Sequence, residues 1–306
     1  MKKFLAGLLL FPTVLIGCEV VPSVLPDGSG KPTQVQTQEQ QNVIVVTSFY
    51  PLYEIARRVG GEFVDVQNLV PPGAEPHEYE LTPKDISRVF ESQILFVNGG
   101  GLEPWFEKIT SEVQERGVRT IDASRISDDI LAGDPHYWMD PLYYVKEVDR
   151  FEKTLSEIDP SRSAYYLANA RKFVEELSLL SKDFENGLQN CTFKEFVTNH
   201  AAFGYLARRY NLTMVPISGL SPEAEPSPKT LASLTDLLRG KGIRYIMVET
   251  LVSPKIAETL AREVGAEILV LNPLEGLADE EIARGQNYVT VMRQNLNNLQ
   301  IAMDCR

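Results

Sequence analysis

The sequence predicts an α/β protein: two similar lobes, each a mostly parallel sheet covered by helices, joined by one long rigid helix. Three observations carry that prediction. Short β-branched runs alternate with helical segments at both ends of the chain, the pattern of parallel strands linked by crossover helices. From Pro141 to about Asn190 that alternation stops and no strand is visible. Within this gap, "SRSAYYLANARKFVEELSLLSKDFENGLQN" holds no Pro and no Gly before Gly187. It reads as a helix of roughly 28 residues, on the order of 40 Å long, long enough to act as a strut.

The elements follow in order. "NVIVVTSF" is a buried strand, and "YPLYEIARRVGG" is a helix with apolar residues at helical spacing and a glycine stop at Gly60 and Gly61. "FVDVQNLV" is a strand. "TPKDISRVFESQ" is a helix opened by a Thr cap with Pro in the first position. "ILFVNGGG" is a strand ending in a tight glycine turn; it lacks the spacing and the Lys-Ser/Thr of a phosphate loop. "EPWFEKITSEVQERG" is helical and "VRTIDAS" is the fourth strand. "PLYYVKEVDRFEKTLSEID" is a helix stopped at Asp159 and Pro160, followed by the strut. Alternation then resumes with strands "FKEFVTNH", "TMVPISG", "IRYIMVET" and "EILVLNP". Helices "AAFGYLARRYN", "SPKTLASLTDLLRGKG" and "SPKIAETLAREVG" lie between them, and "NYVTVMRQNLNNLQIAM" closes the chain.

The formal net charge of −12 argues against a nucleic-acid partner, because a phosphate polyanion requires a basic face. At the N-terminus, "MKKFLAGLLLFPTVLIGC" combines two lysines with an apolar run too short for an ordinary spanning helix. Small and apolar residues before Cys18 resemble a bacterial lipobox, which implies cleavage before Cys18 and lipidation of its sulfur. Residues 19–41, rich in Pro, Gly, Gln and Ser, read as a tether. The expected organisation is a signal peptide (1–17), a lipid-anchored flexible tether (18–41), an N-terminal α/β lobe (42–150), a connecting helix (151–190) and a C-terminal α/β lobe (191–306). Outside the cytoplasm, Cys191 and Cys305 are either a disulfide or two buried thiols.

Only three histidines occur: His77 in "GAEPHEYEL", His136 in "GDPHYWMDP" and His200 in "FVTNHAAFGYL". Each lies beyond a predicted strand or in a Pro-containing loop. Ligands bind outside the carboxyl ends of strands in open α/β sheets, so all three can converge there. Imidazole is a common metal ligand near neutral pH. Three imidazoles suit Zn(II), with a fourth position open or filled by oxygen, whereas Mn(II) prefers more oxygen. Asp134 and Asp140 are the acids nearest His136 in sequence, and either is placed to orient its ring.

These residues resemble the zinc- and manganese-binding lipoproteins that serve ABC importers. The similar segments include "VVTSFYPLYEIARRVGG", "LVPPGAEPHEYELTPKDISRVFESQILFVNGGGLEPW", "DPHYWMDP", "FVTNHAAFGYLARRYNL" and "VETLVSPKIAETLAREVGA". The resemblance implies His77, His136 and His200 as metal ligands, with histidine at the third position typical of zinc members. It places the fourth ligand in an "LDPL"-like turn. Here that turn is "LNPL", so the candidates are Asn272, a water or an acid such as Glu249. The resemblance also implies delivery to an ABC permease, attachment to the membrane through the lipid anchor alone, an extracytoplasmic location and a monomeric state.

Three functions follow as expectations: a zinc receptor, a metallohydrolase and an adhesin-like lipoprotein. A hydrolase would need an open metal position and a general base, for which Glu78, Glu80 and Glu249 are available. No H-E-x-x-H helix is present. The receptor is the reading carried forward, with no enzymatic turnover expected.

Overall fold

The computed structural model describes residues 41–306 except Glu223 and Glu225. The signal segment, Cys18 and all but the last residue of the tether lie outside the described residues. The first sheet contains β1 (Val43–Thr47), β2 (Val64–Asn68), β3 (Ile94–Val97) and β4 (Arg119–Asp122), all parallel, in the order β2-β1-β3-β4. The second contains β5 (Glu195–Thr198), β6 (Thr213–Pro216), β7 (Tyr245–Val248) and β8 (Glu267–Val270), again parallel, in the order β6-β5-β7-β8. Both lobes thus share one topology. In each, the chain reverses its direction of travel across the sheet beside the first strand, which opens a crevice at the strand C-termini.

Ten α-helices are present among the described residues. The first lobe carries α1 (Tyr50–Gly60), α2 (Pro83–Glu91), α3 (Phe106–Glu115) and α4 (Pro141–Ile158). The strut is α5 (Ser163–Leu188). The second half carries α6 (Gly204–Arg209), α7 (Pro228–Lys241), α8 (Lys255–Val264), α9 (Asp279–Ala283) and α10 (Tyr288–Ala302). Local chemistry sets the boundaries. Thr82 and Asp85 form a reciprocal capping box at α2, with Pro at the first position. Gly61, at φ 59°, ends α1 in a conformation that favours glycine. Five-residue α9 has too little apolar periodicity to be read from sequence.

Along α5 the buried apolar side chains are Tyr166, Ala170, Phe173, Leu177, Leu180, Phe184 and Leu188. Their spacing of three or four residues draws one apolar stripe down the whole helix. Each large side chain so buried contributes about 1.5–3 kcal/mol. The helix spans about 39 Å and packs against α1 and α4 of the first lobe and against α10. The expected division at 150/151 falls inside α4, so the strut is α5 alone. Nor does α10 stay with its own half of the chain: Tyr288 stacks on Tyr144 of α4 with ring centroids 4.0 Å apart. A disulfide between Cys191 and Cys305 ties the end of α10 to the segment leaving α5.

One core residue breaks the apolar pattern. Glu147 of α4 is fully buried, and neither carboxylate oxygen has a hydrogen-bond partner among the described residues. Burial holds its carboxyl well above the usual carboxylate range. The folded protein therefore keeps a proton that the unfolded chain releases above about pH 4.5, and stability falls as pH rises from there. Glu147→Met is expected to stabilise the fold by about 1–4 kcal/mol at pH 7.5 and by much less at pH 4.5. Denaturant titrations at the two pH values test this; an equal gain at both would show that ionisation is not the cause.

Candidate metal centre

The three histidines come from the segments that follow three different strands. His77 lies in the loop after β2, His136 after β4 and His200 two residues beyond β5. The structure brings all three together and adds a residue that the sequence reading missed, Glu275, from the loop after β8. One ligand atom from each of the four lies within 4.8 Å of every other. His136, His200 and Glu275 have side chains 0% exposed, and His77 retains 9%. The cluster is therefore buried between the lobes, with its opening on the His77 side.

The spacing within the cluster is narrow. Glu275 Oε1 lies 3.3 Å from His77 Nε2, 3.4 Å from His136 Nε2 and 3.3 Å from His200 Nε2. The Nε2 atoms of His136 and His200 are 3.4 Å apart. These are four of the six edges of a tetrahedron. A regular tetrahedron's edge is about 1.63 times its centre-to-vertex distance, so these four edges match a shell of radius about 2.0–2.1 Å, the bond length of a zinc-like ion to nitrogen or oxygen, while the two from His77 to the other rings are within 4.8 Å.

Two carboxylates aim the imidazoles. Asp134 Oδ1 accepts from the backbone N–H of His136 at 2.9 Å and lies 2.7 Å from its Nδ1. Glu249 Oε1 repeats the arrangement on His200, at 3.1 Å from the backbone nitrogen and 2.6 Å from Nδ1. Each Nδ1 donates its proton outward, leaving Nε2 to face the centre. Of the two acids near His136, Asp134 has this task. Asp140 instead caps α4 and binds Arg209 at 2.6 Å. His77 is fixed through its backbone, whose N–H donates to Glu75 Oε1 at 3.1 Å.

Electrostatics follow from this packing. Burial lowers the proton affinity of His200, but Glu249 and Glu275 outweigh it and raise the imidazole to about 10. Burial likewise opposes the charge on His136, and Asp134 with Glu275 again reverses the balance upward. Burial alone would raise the Glu275 carboxyl, yet hydrogen bonds from His136, His200 and His77 hold it well below the usual range. The acids around the two rings thus favour protons on the same nitrogens that would face a cation, so the two compete for the cluster.

Asn272 spends its side chain on the turn itself. Its Oδ1 accepts the backbone N–H of Leu274 at 2.7 Å, and its Nδ2 donates to Thr250 at 3.2 Å. The amide closes a turn, aided by a positive φ of 60° at Leu274, and this turn swings the residue three positions on into the cleft. Glu249, the other acid considered, orients His200. The available signal was the adjacency of Glu275 to "LNPL" at a strand tip; the turn's own polar residue drew the assignment instead.

Comparison with known proteins agrees with this geometry. Residues 45–302 match the family described as zinc-uptake complex component A, periplasmic (ZnuA). The zinc-binding lipoprotein AdcA of Streptococcus pneumoniae is 36% identical over 287 residues, covering 88% of this chain and 57% of AdcA. The chain therefore spans little more than half the length of that relative. The high-affinity zinc uptake system protein ZnuA of Bacillus subtilis is 35% identical, covering 83% of this chain and 86% of that protein. The crystal structure of the Zn(II)-bound ZnuA-like domain of S. pneumoniae AdcA superposes with a TM-score of 0.77 at 38% identity, covering 86% of this chain and 99% of that domain. A laminin-binding protein of Streptococcus agalactiae, described as having adhesin and metal-transporting activity, gives 0.78 at 32% identity, covering 86% of this chain and all of that one.

Proposed function

Since the chain belongs to the zinc-uptake complex component A family, we propose that it captures Zn(II) outside the cytoplasm and delivers it to the permease of an ABC importer. The observation that carries this reading is the convergence of three Nε2 atoms on one carboxylate oxygen within 3.4 Å, all four donors lying within 4.8 Å of one another. His77, His136, His200 and Glu275 are the ligands. A nitrogen-dominated set with one carboxylate favours zinc over manganese. Four protein donors complete a tetrahedral shell, which suits holding an ion rather than activating water at an open position.

Each surrounding residue has a part. Asp134 and Glu249 fix the tautomers and strengthen the imidazoles as donors. Glu275 supplies the charge that the neutral rings lack. The strut α5 stiffens the pair of lobes, so loading involves local shifts of the ligand loops. Cys18 is the lipid attachment point, and no helix among the described residues is long and apolar enough to cross a membrane.

Elemental analysis of the purified mature protein, with zinc and manganese in competition, tests the cargo. One zinc per chain, retained against excess manganese, is expected; a protein that takes up manganese in preference would overturn the assignment. Deleting the gene should slow growth in zinc-starved medium, and restoration by added zinc is the expected rescue. Glu249→Gln should weaken zinc binding about 10–100-fold without removing a ligand. An unchanged dissociation constant would remove Glu249 from any role in orienting His200.

A further inference from the structure

We propose that Trp138 is a positioning residue that sets the fourth ligand from the opposite lobe; the proposal rests on the reading of Glu275 as a zinc ligand. Glu275 sits on neither a strand nor a helix, so its backbone must be registered by individual hydrogen bonds. Two sets come from its own half of the chain. Asn295 bonds the N–H and carbonyl of Asn272 at 2.9 and 2.7 Å, and Asn272 Oδ1 holds the N–H of Leu274. The first lobe supplies another: Trp138 Nε1 donates to the Pro273 carbonyl at 2.6 Å. Pro273 stands two residues before Glu275.

Trp138 is itself immobilised. It is 0% exposed, meets Phe49 edge-on at 4.7 Å, and its carbonyl accepts from Tyr288 Oη at 2.5 Å. It also follows His136 by two residues, with ring centroids 5.2 Å apart. One indole therefore abuts a ligand of the first lobe while its N–H holds the loop that carries a ligand of the second. Losing this N–H leaves the Pro273 carbonyl buried without its donor and lets Glu275 drift from the tetrahedral vertex.

The test replaces tryptophan with benzothienylalanine, which keeps the ring shape and exchanges the N–H for sulfur. The chain has two tryptophans, and Trp105 Nε1 has no hydrogen-bond partner among the described residues. Global replacement therefore removes just the Trp138 bond of the two. Zinc dissociation from the full chain, followed with a chelator in stopped flow, should accelerate about tenfold, the effect of one buried hydrogen bond. In a Glu275→Gln background the replacement should change the rate by less than about twofold, because the positioned group is gone. Trp138→Phe provides the genetic counterpart. An equal acceleration in both backgrounds would mean that Trp138 acts on the fold at large, and the proposal fails. If Glu275→Gln by itself leaves zinc binding intact, the ligand assignment fails instead, and the proposal with it.

Discussion

Glu275→Gln should weaken zinc binding on the order of 100-fold or more, the upper end of what residues outside the metal shell contribute. The substitution keeps volume and shape while removing the one negative charge that faces the three Nε2 atoms. Its oxygen lies within 3.4 Å of all three, and among the described residues it is the acid that clusters with them. Asp134 and Glu249 already hold the far sides of two rings. Competition with a chelator of known affinity measures the loss. A variant that binds zinc as tightly as the parent would leave a three-histidine site with a non-protein fourth donor and would reopen the hydrolase reading.

Zinc affinity should also climb steeply with pH. In the ion-free arrangement His200 is raised to about 10 by Glu249 and Glu275 against the opposing effect of burial, and His136 is shifted in the same direction. A protonated Nε2 cannot bind the ion, so loading at neutral pH expels at least the His200 proton. Affinity then rises about tenfold per pH unit for each proton expelled. Between pH 6 and pH 8 the change is about 100-fold for one proton and about 10,000-fold for two. The sign for stability is the reverse. The raised imidazole stabilises the ion-free fold fully below about pH 6.5, and that contribution is lost as pH rises through about 10. Calorimetry in buffers of different ionisation enthalpy counts the protons directly. No net release at pH 7, or an affinity flat from pH 6 to pH 8, contradicts the picture. In Glu275→Gln the slope should flatten only in part, since one of the two carboxylates that raise each ring is removed while Glu249 and Asp134 remain.

Much of this was legible from residue order. Runs such as "VIVV" and "ILFV" are apolar without alternation because both faces of a parallel strand are covered. The long stretch after Pro160 with no Pro, and no Gly before Gly187, declared α5 before any contact was known. Three histidines, each beyond a strand or in a Pro-containing loop, pointed to one cleft because parallel strands deliver all their C-terminal loops to the same side of a sheet.

The rest depended on contacts between distant segments. Glu275 and Asn272 are three residues apart in one turn, and propensity cannot say which of two polar side chains closes the turn and which leaves it. Packing of Asn295 and Trp138 against that loop makes the choice. Asp134 and Asp140 flank His136 two and four residues away, both near enough to serve, yet Arg209 captures Asp140 from the other lobe. Local periodicity specifies elements because it acts through neighbours along the chain. The identity of a ligand depends on which side chains meet across a cleft, and that is settled by groups far apart in sequence competing for the same few hydrogen bonds.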